Sequence, residues 1–199
     1  MMTRIAALLL LAAAAPALAA PSAAVPQVSE QVRTEADGTV SLSHEVVVAA
    51  PHEQVWAAIA TVDGWKSWAV PVAWIPAERP NVIETSYNPA AAPGDAMNIE
   101  NEFVARVQGQ KKLVFHTIKA PAGFPHFDAL RRVTQTFELT PDGTATRVRL
   151  TGTGYGGDAP GKAVLAFFRG GNRVSLEMLR DRFASGPINW AEKLKKPLK

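Results

Sequence analysis

Apolar and polar positions recur with two periods along this chain, one belonging to strands and one to helices. From Thr39 to Ala49, Val40, Leu42, His44, Val46 and Val48 alternate with Ser41, Ser43, Glu45 and Val47, the period-two pattern of a strand. Pro51 ends it and opens a short helix through Thr61, with Val55 and Ile59 on one side. Asp63-Gly64 is expected to break that helix, and Trp65 to Trp68 to form a second short turn. Short strands are expected at Val72–Ile75 and Val82–Tyr87, followed by a loop from Asn88 to Asp95. Met97 to Gln108 then alternates cleanly, with Met97, Ile99, Asn101, Phe103, Ala105 and Val107 facing one way.

Gly109-Gln110 suits a two-residue hairpin turn. That register pairs Phe103 with His116 and turns Val114, His116 and Ile118 inward; a three-residue loop would turn Phe115 inward instead. Ala120 to Leu130 is a Pro/Gly-framed loop carrying Phe124, His126 and Phe127. Arg131–Thr140 and Thr144–Gly154 form a second hairpin about Thr-Pro-Asp-Gly, whose four-residue loop puts Val133, Gln135, Phe137, Leu139, Thr146, Val148 and Leu150 on one face. The period then changes to 3.6. Leu165, Phe168, Asn172, Leu176, Leu179 and Phe183 make one face of a long helix over about 159–184. Asp158 is its expected N-cap, Pro160 fits its first turn, and Gly186-Pro187 stops it.

The fold class this order predicts is α+β. A curved antiparallel sheet of about six to seven strands packs against a long C-terminal helix, with two short helices after the first strand. The opening VSLSHEVVVAAPHEQVWAAIATVDGWKSWAVPVAWI, the hairpin VTQTFELTPDGTATRVRLTGTGYGG and the final helix resemble the START-like superfamily. This is the helix-grip fold also called SRPBCC or polyketide cyclase/dehydrase-like. The resemblance spans residues 39–186, and it implies a sheet gripping the last helix with a guest-holding cleft between them. It speaks to fold more than to activity, because that family includes carriers, sensors, cyclases and chaperone activators.

Composition adds an address. Arg4, the apolar run from Ile5 to Ala15 and Ala17-Leu18-Ala19 have the three regions of a signal peptide over 1–19, cut after Ala19. The expected destination is the periplasm or the exterior. A retained anchor is the alternative, although the run falls short of the ~20 residues that a span takes. The chain has no cysteine, so the exported domain must stand on its core alone. Residues 20–38 are expected to be a linker. Residues 187–199 form a basic tail with Lys193, Lys195, Lys196 and Lys199, a solvated terminus or a contact to an anionic membrane surface. A net charge of +3 is too mild to imply nucleic acid. Trp56, Trp65, Trp68 and Trp74 lack the interleaved Lys and Arg of a nucleic-acid platform; they are core, with one or two possible cleft-lining rings.

Gly152 to Gly157 matches G-x-G-x-x-G, but no second strand follows to complete a βαβ unit. Gly156 to Lys162 matches G-x-x-x-x-G-K, yet Ala163 stands where a magnesium-binding hydroxyl belongs. No nucleotide is expected. His44, His52, His116 and His126 have no metal-ligand spacing, so neither metal nor other cofactor is expected. His44 and His116 fall on inner strand faces, as core histidines or as contacts to a guest.

The favoured function is an exported carrier, monomeric or weakly dimeric, for a small apolar or amphipathic molecule held between sheet and helix. Gly152, Gly154, Gly170 and Gly171 would open the cleft. Trp68, Phe103, Phe137, Phe168, Leu176 and Leu179 would line it, and Asn101, His116, Gln135, Tyr155 and Asn172 would orient the guest. The alternative is a cyclase or dehydratase in the same cleft, with His116 as base and Asn172 or Tyr155 as donor. A third reading is an interaction module of the chaperone-activator type. Export argues against it, because the ATP-dependent partner would be in another compartment.

Overall fold

A computed structural model of the chain describes residues 27–195. The expected signal peptide, the first part of the expected linker, and Lys196 and Lys199 of the tail lie outside the described residues. Eight antiparallel strands form one sheet: β1 Ser29–Thr34, β2 Val40–Val48, β3 Val72–Trp74, β4 Val82–Ser86, β5 Ile99–Val107, β6 Lys112–Lys119, β7 Thr134–Asp142 and β8 Ala145–Tyr155. Their order across the sheet is β1-β2-β8-β7-β6-β5-β4-β3. The helices are α1 His52–Ala60, α2 Val62–Trp68, α3 Phe127–Leu130, α4 Ala159–Ser185 and α5 Trp190–Lys193. Helix α4 crosses β2 and β8, and α1 and α2 cover the neighbouring part of the same face. This is the helix-grip arrangement.

Helix α4 has the ends its sequence specifies. The Asp158 carboxylate accepts the Gly161 N–H at 2.9 Å, and Gly186 leaves the helix with φ +89°. Its inward face buries Leu176 and Leu179 completely, and each such burial contributes roughly 1.5–3 kcal/mol. The larger core joins these two leucines to Val46, Ile59, Trp65, Phe115, Phe137 and Leu150. A smaller cluster at the other end joins Leu42, Leu130, Val133, Tyr155 and Val164, with Leu165 and Phe168 packed against it.

Four local expectations change. Residues 29–34, within the stretch expected as linker, form the edge strand β1, which is why the sheet has eight strands. Its sequence SEQVRT has no apolar alternation because its side chains are mostly exposed, and the strand is made by backbone pairing with β2. The break after α1 falls at Thr61, not at Asp63-Gly64. Thr61 is extended and its hydroxyl caps α2 by accepting the Gly64 N–H at 3.0 Å. Gly64 packs so closely on the Ala57 and Ala58 carbonyls that no Cβ would fit.

The β5–β6 connection is the third change. It is a four-residue turn, with a 3₁₀ segment at Gln108–Gln110 and Lys111 left-handed at φ 47°. Phe103 therefore pairs with Phe115, and His116 pairs with Glu102 on the outer face. Helix α1 holds this register: Lys111 Nζ lies 2.8 Å from Glu53, and the Trp56 indole N–H donates to Gln108 Oε1 at 2.5 Å. The fourth change is small. The β7–β8 turn is the two residues Gly143-Thr144, tighter than a four-residue loop, and it keeps the expected residues inward.

Candidate functional site

Between the two apolar clusters runs a belt of polar groups that crosses the sheet diagonally, with His44 one cross-strand row from Gln135. On β2, His44 stands between Leu42 of the smaller cluster and Val46 of the larger. On β7, Gln135 stands between Val133 and Phe137 in the same sense, and on α4 Asn172 stands between Phe168 and Leu176. In the row of Gln135, β8 carries Gly152, flanked across the strands by Leu42 and Gln135. Its missing side chain leaves room for the Tyr155 hydroxyl, which receives the Gln135 Nε2 hydrogen bond at 3.2 Å. His44, Gln135, Tyr155 and Asn172 are all at least nine-tenths buried.

Three belt atoms have no partner among the described residues: His44 Nδ1, Gln135 Oε1 and Asn172 Nδ2. A buried polar atom without a hydrogen bond costs about 1–3 kcal/mol, so three along one belt need a physical reason. A fourth, Asn98 Oδ1, lies apart under the 88–98 loop, where Glu84 accepts from Gly94 N–H at 2.7 Å and Asn98 Nδ2 at 2.8 Å. That group pins a loop.

The other nitrogen of His44 is fixed. Nε2 lies 3.1 Å from Glu30 Oε2 on β1, directly across the strand pair. Glu30 in turn accepts from Arg169 Nε of α4 at 3.0 Å, and Arg173 Nη2 lies 3.6 Å away. The Arg169 hydrogen bond holds the Glu30 carboxyl below its usual range, so it is a carboxylate and can only accept. Nε2 therefore carries the ring proton. Burial pushes the His44 pKa down despite Glu30, which keeps the ring neutral and Nδ1 bare. The phenol of Tyr155 is pushed above its usual range by burial and stays protonated.

One end of the belt is bordered by aromatic rings. Tyr155 packs on Phe168 at 6.2 Å between centroids, Phe168 meets Phe167 edge-on at 5.4 Å, and Phe167 meets Phe124 edge-on at 5.5 Å. Phe124 belongs to the loop before α3, and Phe167 is 58 % exposed. These rings form a lip between α4 and that loop.

Of the residues expected at the site, Gln135, Tyr155, Phe168 and Asn172 meet at the belt. Phe103, Phe137, Leu176 and Leu179 pack the larger core beside it. Asn101 is buried but its amide oxygen already accepts from Thr117 at 2.9 Å. Trp68 is core, with its indole N–H donated to the Ala58 carbonyl at 2.9 Å, and Trp65 does the same to Ile59 at 2.7 Å. His116 is not a cleft residue: on the outer face it lies 3.1 Å from Glu102 Oε2. Gly170 is exposed on α4 and opens no cleft, and the space at Gly152 is filled by Tyr155. The sequence reading missed Glu30, whose link to Arg169 spans the chain and leaves no local signal.

The outer face of the sheet is a different surface. Open clefts of about 320 and 270 Å³ lie there, lined by Glu45, Lys112, Glu138, Arg147 and Arg149 in one and by Ser41, Ser43, Thr151 and Thr153 in the other. The charges of the first are already paired, Glu45 with Arg147 and Arg149 and Lys112 with Glu138, so that cleft does not suit an apolar guest. At the N-terminus of α4 the Asp158 carboxylate stands where a phosphate would sit. Among the described residues no three His, Asp or Glu side chains gather as a metal site, and no helix is long and apolar enough to cross a membrane.

A family model described as polyketide cyclase / dehydrase and lipid transport matches residues 39–184. Among solved structures, the chain is similar to CalU16 from Micromonospora echinospora, at 16% identity and TM-score 0.54, covering 85% of this chain and 89% of that one. It is also similar to the Aha1 dimer from Colwellia psychrerythraea, at 16% identity and TM-score 0.55, covering 73% and 97%. A Thalictrum norcoclaurine synthase point mutant, in complex with a transition-state analogue, matches at 12% identity and TM-score 0.51, covering 79% and 98%. At such identities these likenesses establish the fold alone. No curated protein matches the sequence.

Proposed function

From the chain's membership of the polyketide cyclase / dehydrase and lipid transport family, we propose that it is an exported carrier that holds a small apolar or amphipathic molecule between the sheet and α4, at the level of the polar belt. One observation carries this reading. His44 Nδ1, Gln135 Oε1 and Asn172 Nδ2 are buried without partners at the seam between two apolar clusters. A mostly apolar site with a few convergent polar groups is the usual chemistry of a small-molecule pocket. The guest enters at the smaller cluster by displacing Phe168 and its neighbours at the lip. The reading of His116 as a catalytic base has no support in its outward position. Export rests on the composition of residues 1–19, and amino-terminal sequencing of the mature protein tests it: Ala20 or Pro21 should be first.

Native mass spectrometry of protein purified from its own cells tests the carrier reading. A co-purifying small mass, or saturable binding of the neutral dye Nile red to the emptied protein, is the expected result. A protein with neither ends the proposal.

A further inference from the structure

The belt has a hydrogen-bonding polarity of its own. Its spare acceptors are His44 Nδ1 and Gln135 Oε1, and its spare donors are Asn172 Nδ2 and the proton of the Tyr155 hydroxyl, which accepts from Gln135. Rotating the Asn172 amide would exchange the Nδ2 donor for another acceptor and leave acceptors in the majority. The nearest cations, Arg169 and Arg173, are committed to Glu30, and Arg173 Nη1 also donates to the Val28 carbonyl at 3.2 Å. A carboxylate entering the belt would bring more lone pairs to bare acceptors, find no free cation, and face the charge of Glu30 behind His44. An ether or ketone supplies no proton either. A hydroxyl supplies a proton and two lone pairs in one small group, matching acceptor and donor together.

We propose that His44, oriented by Glu30, selects a guest bearing a neutral hydroxyl, an apolar alcohol or phenol, and that the belt rejects a carboxylate of the same apolar length. The inference rests on the carrier reading of the cleft. The guest O–H donates to His44 Nδ1, and its oxygen accepts from Asn172 Nδ2. Glu30 is a positioning residue: its carboxylate fixes the proton on Nε2 and so keeps Nδ1 free. It lies on β1, outside the matched span 39–184, so this device is carried by a strand that the family match does not include.

Displacement of Nile red by three guests of one chain length tests the selection: decanol, decyl methyl ether and decanoate, near neutral pH. Wild type should bind decanol about tenfold more tightly than the ether, the discrimination expected of one buried hydrogen bond, with decanoate weaker than decanol. His44→Leu should keep the affinity for the ether and lose the preference for decanol. Should that variant not fold, nitrogen NMR of His44 in wild type decides: Nδ1 should resonate as a bare nitrogen and move with decanol but not with the ether. Equal displacement by all three guests, decanoate as the tightest, or an unmoved Nδ1 would overturn the selection while leaving the carrier reading intact. Equal displacement is also what buried waters satisfying the belt would give. A wild type that takes up no Nile red removes both.

Discussion

The Tyr155 hydroxyl occupies the space in which a side chain on Gly152 would begin. Gly152 is thus required by a close approach, with the buried Tyr155 ring folded back over the strand that carries it. That ring is held by Phe168 on one side and by the Gln135 amide on the other, so it has little freedom to yield.

Gly152→Ala should therefore destabilise the domain by about 1–3 kcal/mol, the usual cost of overpacking a core. Tyr155→Phe should cost about 1 kcal/mol by a different route, leaving Gln135 Nε2 without its acceptor. Urea midpoints measure both. A Gly152→Ala variant as stable as wild type would show that the ring moves aside readily, and the lip would then be looser than its contacts imply.

Stability should fall with pH in a range set by His44. Burial lowers its folded pKa from 6.5, so the unfolded chain takes up the proton first as pH drops. Its contribution is present above 6.5 and is lost as pH falls through the folded value. The groups facing it act in opposite senses: Glu30 favours the charged ring, and Arg169 and Arg173 oppose it. Glu30 adds a second loss, because its own pKa is lowered from 4.5 and its contribution disappears as pH falls through the depressed value. Thermal melts of His44→Leu should be flatter than wild type just below 6.5 and should keep the later loss due to Glu30.

His44, Gln135 and Asn172 could be read from the sequence because strand and helix periods place them on inward faces between apolar neighbours. His116 could not, because its face depends on the length of one turn, and one residue of slip reverses it. What fixes that turn is Lys111 meeting Glu53 and Gln108 meeting Trp56, contacts from a helix some fifty residues earlier that no local pattern encodes. Strand β1 was hidden for a related reason. An edge strand with exposed side chains has no alternation to display, so Glu30 stayed invisible until pairing set it opposite His44.

The two mid-helix glycines should behave differently from a cleft-opening pair. Gly170 is exposed, and a Cβ there meets nothing within 4 Å. Gly170→Ala should stabilise the protein by about 0.8–1 kcal/mol through helix propensity and leave Nile red binding unchanged. Gly171 is half-buried beside Asn172, again with no atom within 4 Å of an added Cβ. Gly171→Leu should fold normally and weaken dye binding by reaching over the belt. Loss of folding in Gly171→Leu would mean that helix and sheet close tightly there, against the carrier reading.

The lip gives the last prediction. Phe167 is mostly exposed yet meets both Phe124 and Phe168 edge-on, so it ties the loop before α3 to α4 while contributing little to the core. That loop is also tied by the Ala122 N–H to the Ala96 carbonyl at 3.1 Å and by Ala120 and Phe124 packing on the smaller cluster, and its turns use positive φ at Gly123 and His126. Removing one ring should cost about 1 kcal/mol, the scale of an aromatic pair. If guests pass the lip, Phe167→Ala should speed both association and release of Nile red in stopped-flow, with equilibrium affinity changed much less than either rate. A barrier elsewhere predicts the opposite pattern: unchanged rates, with the small loss of stability as the sole effect. The rate pair thus separates a doorway from a surface contact, because a ring that only stabilises the fold has no reason to change entry and exit together.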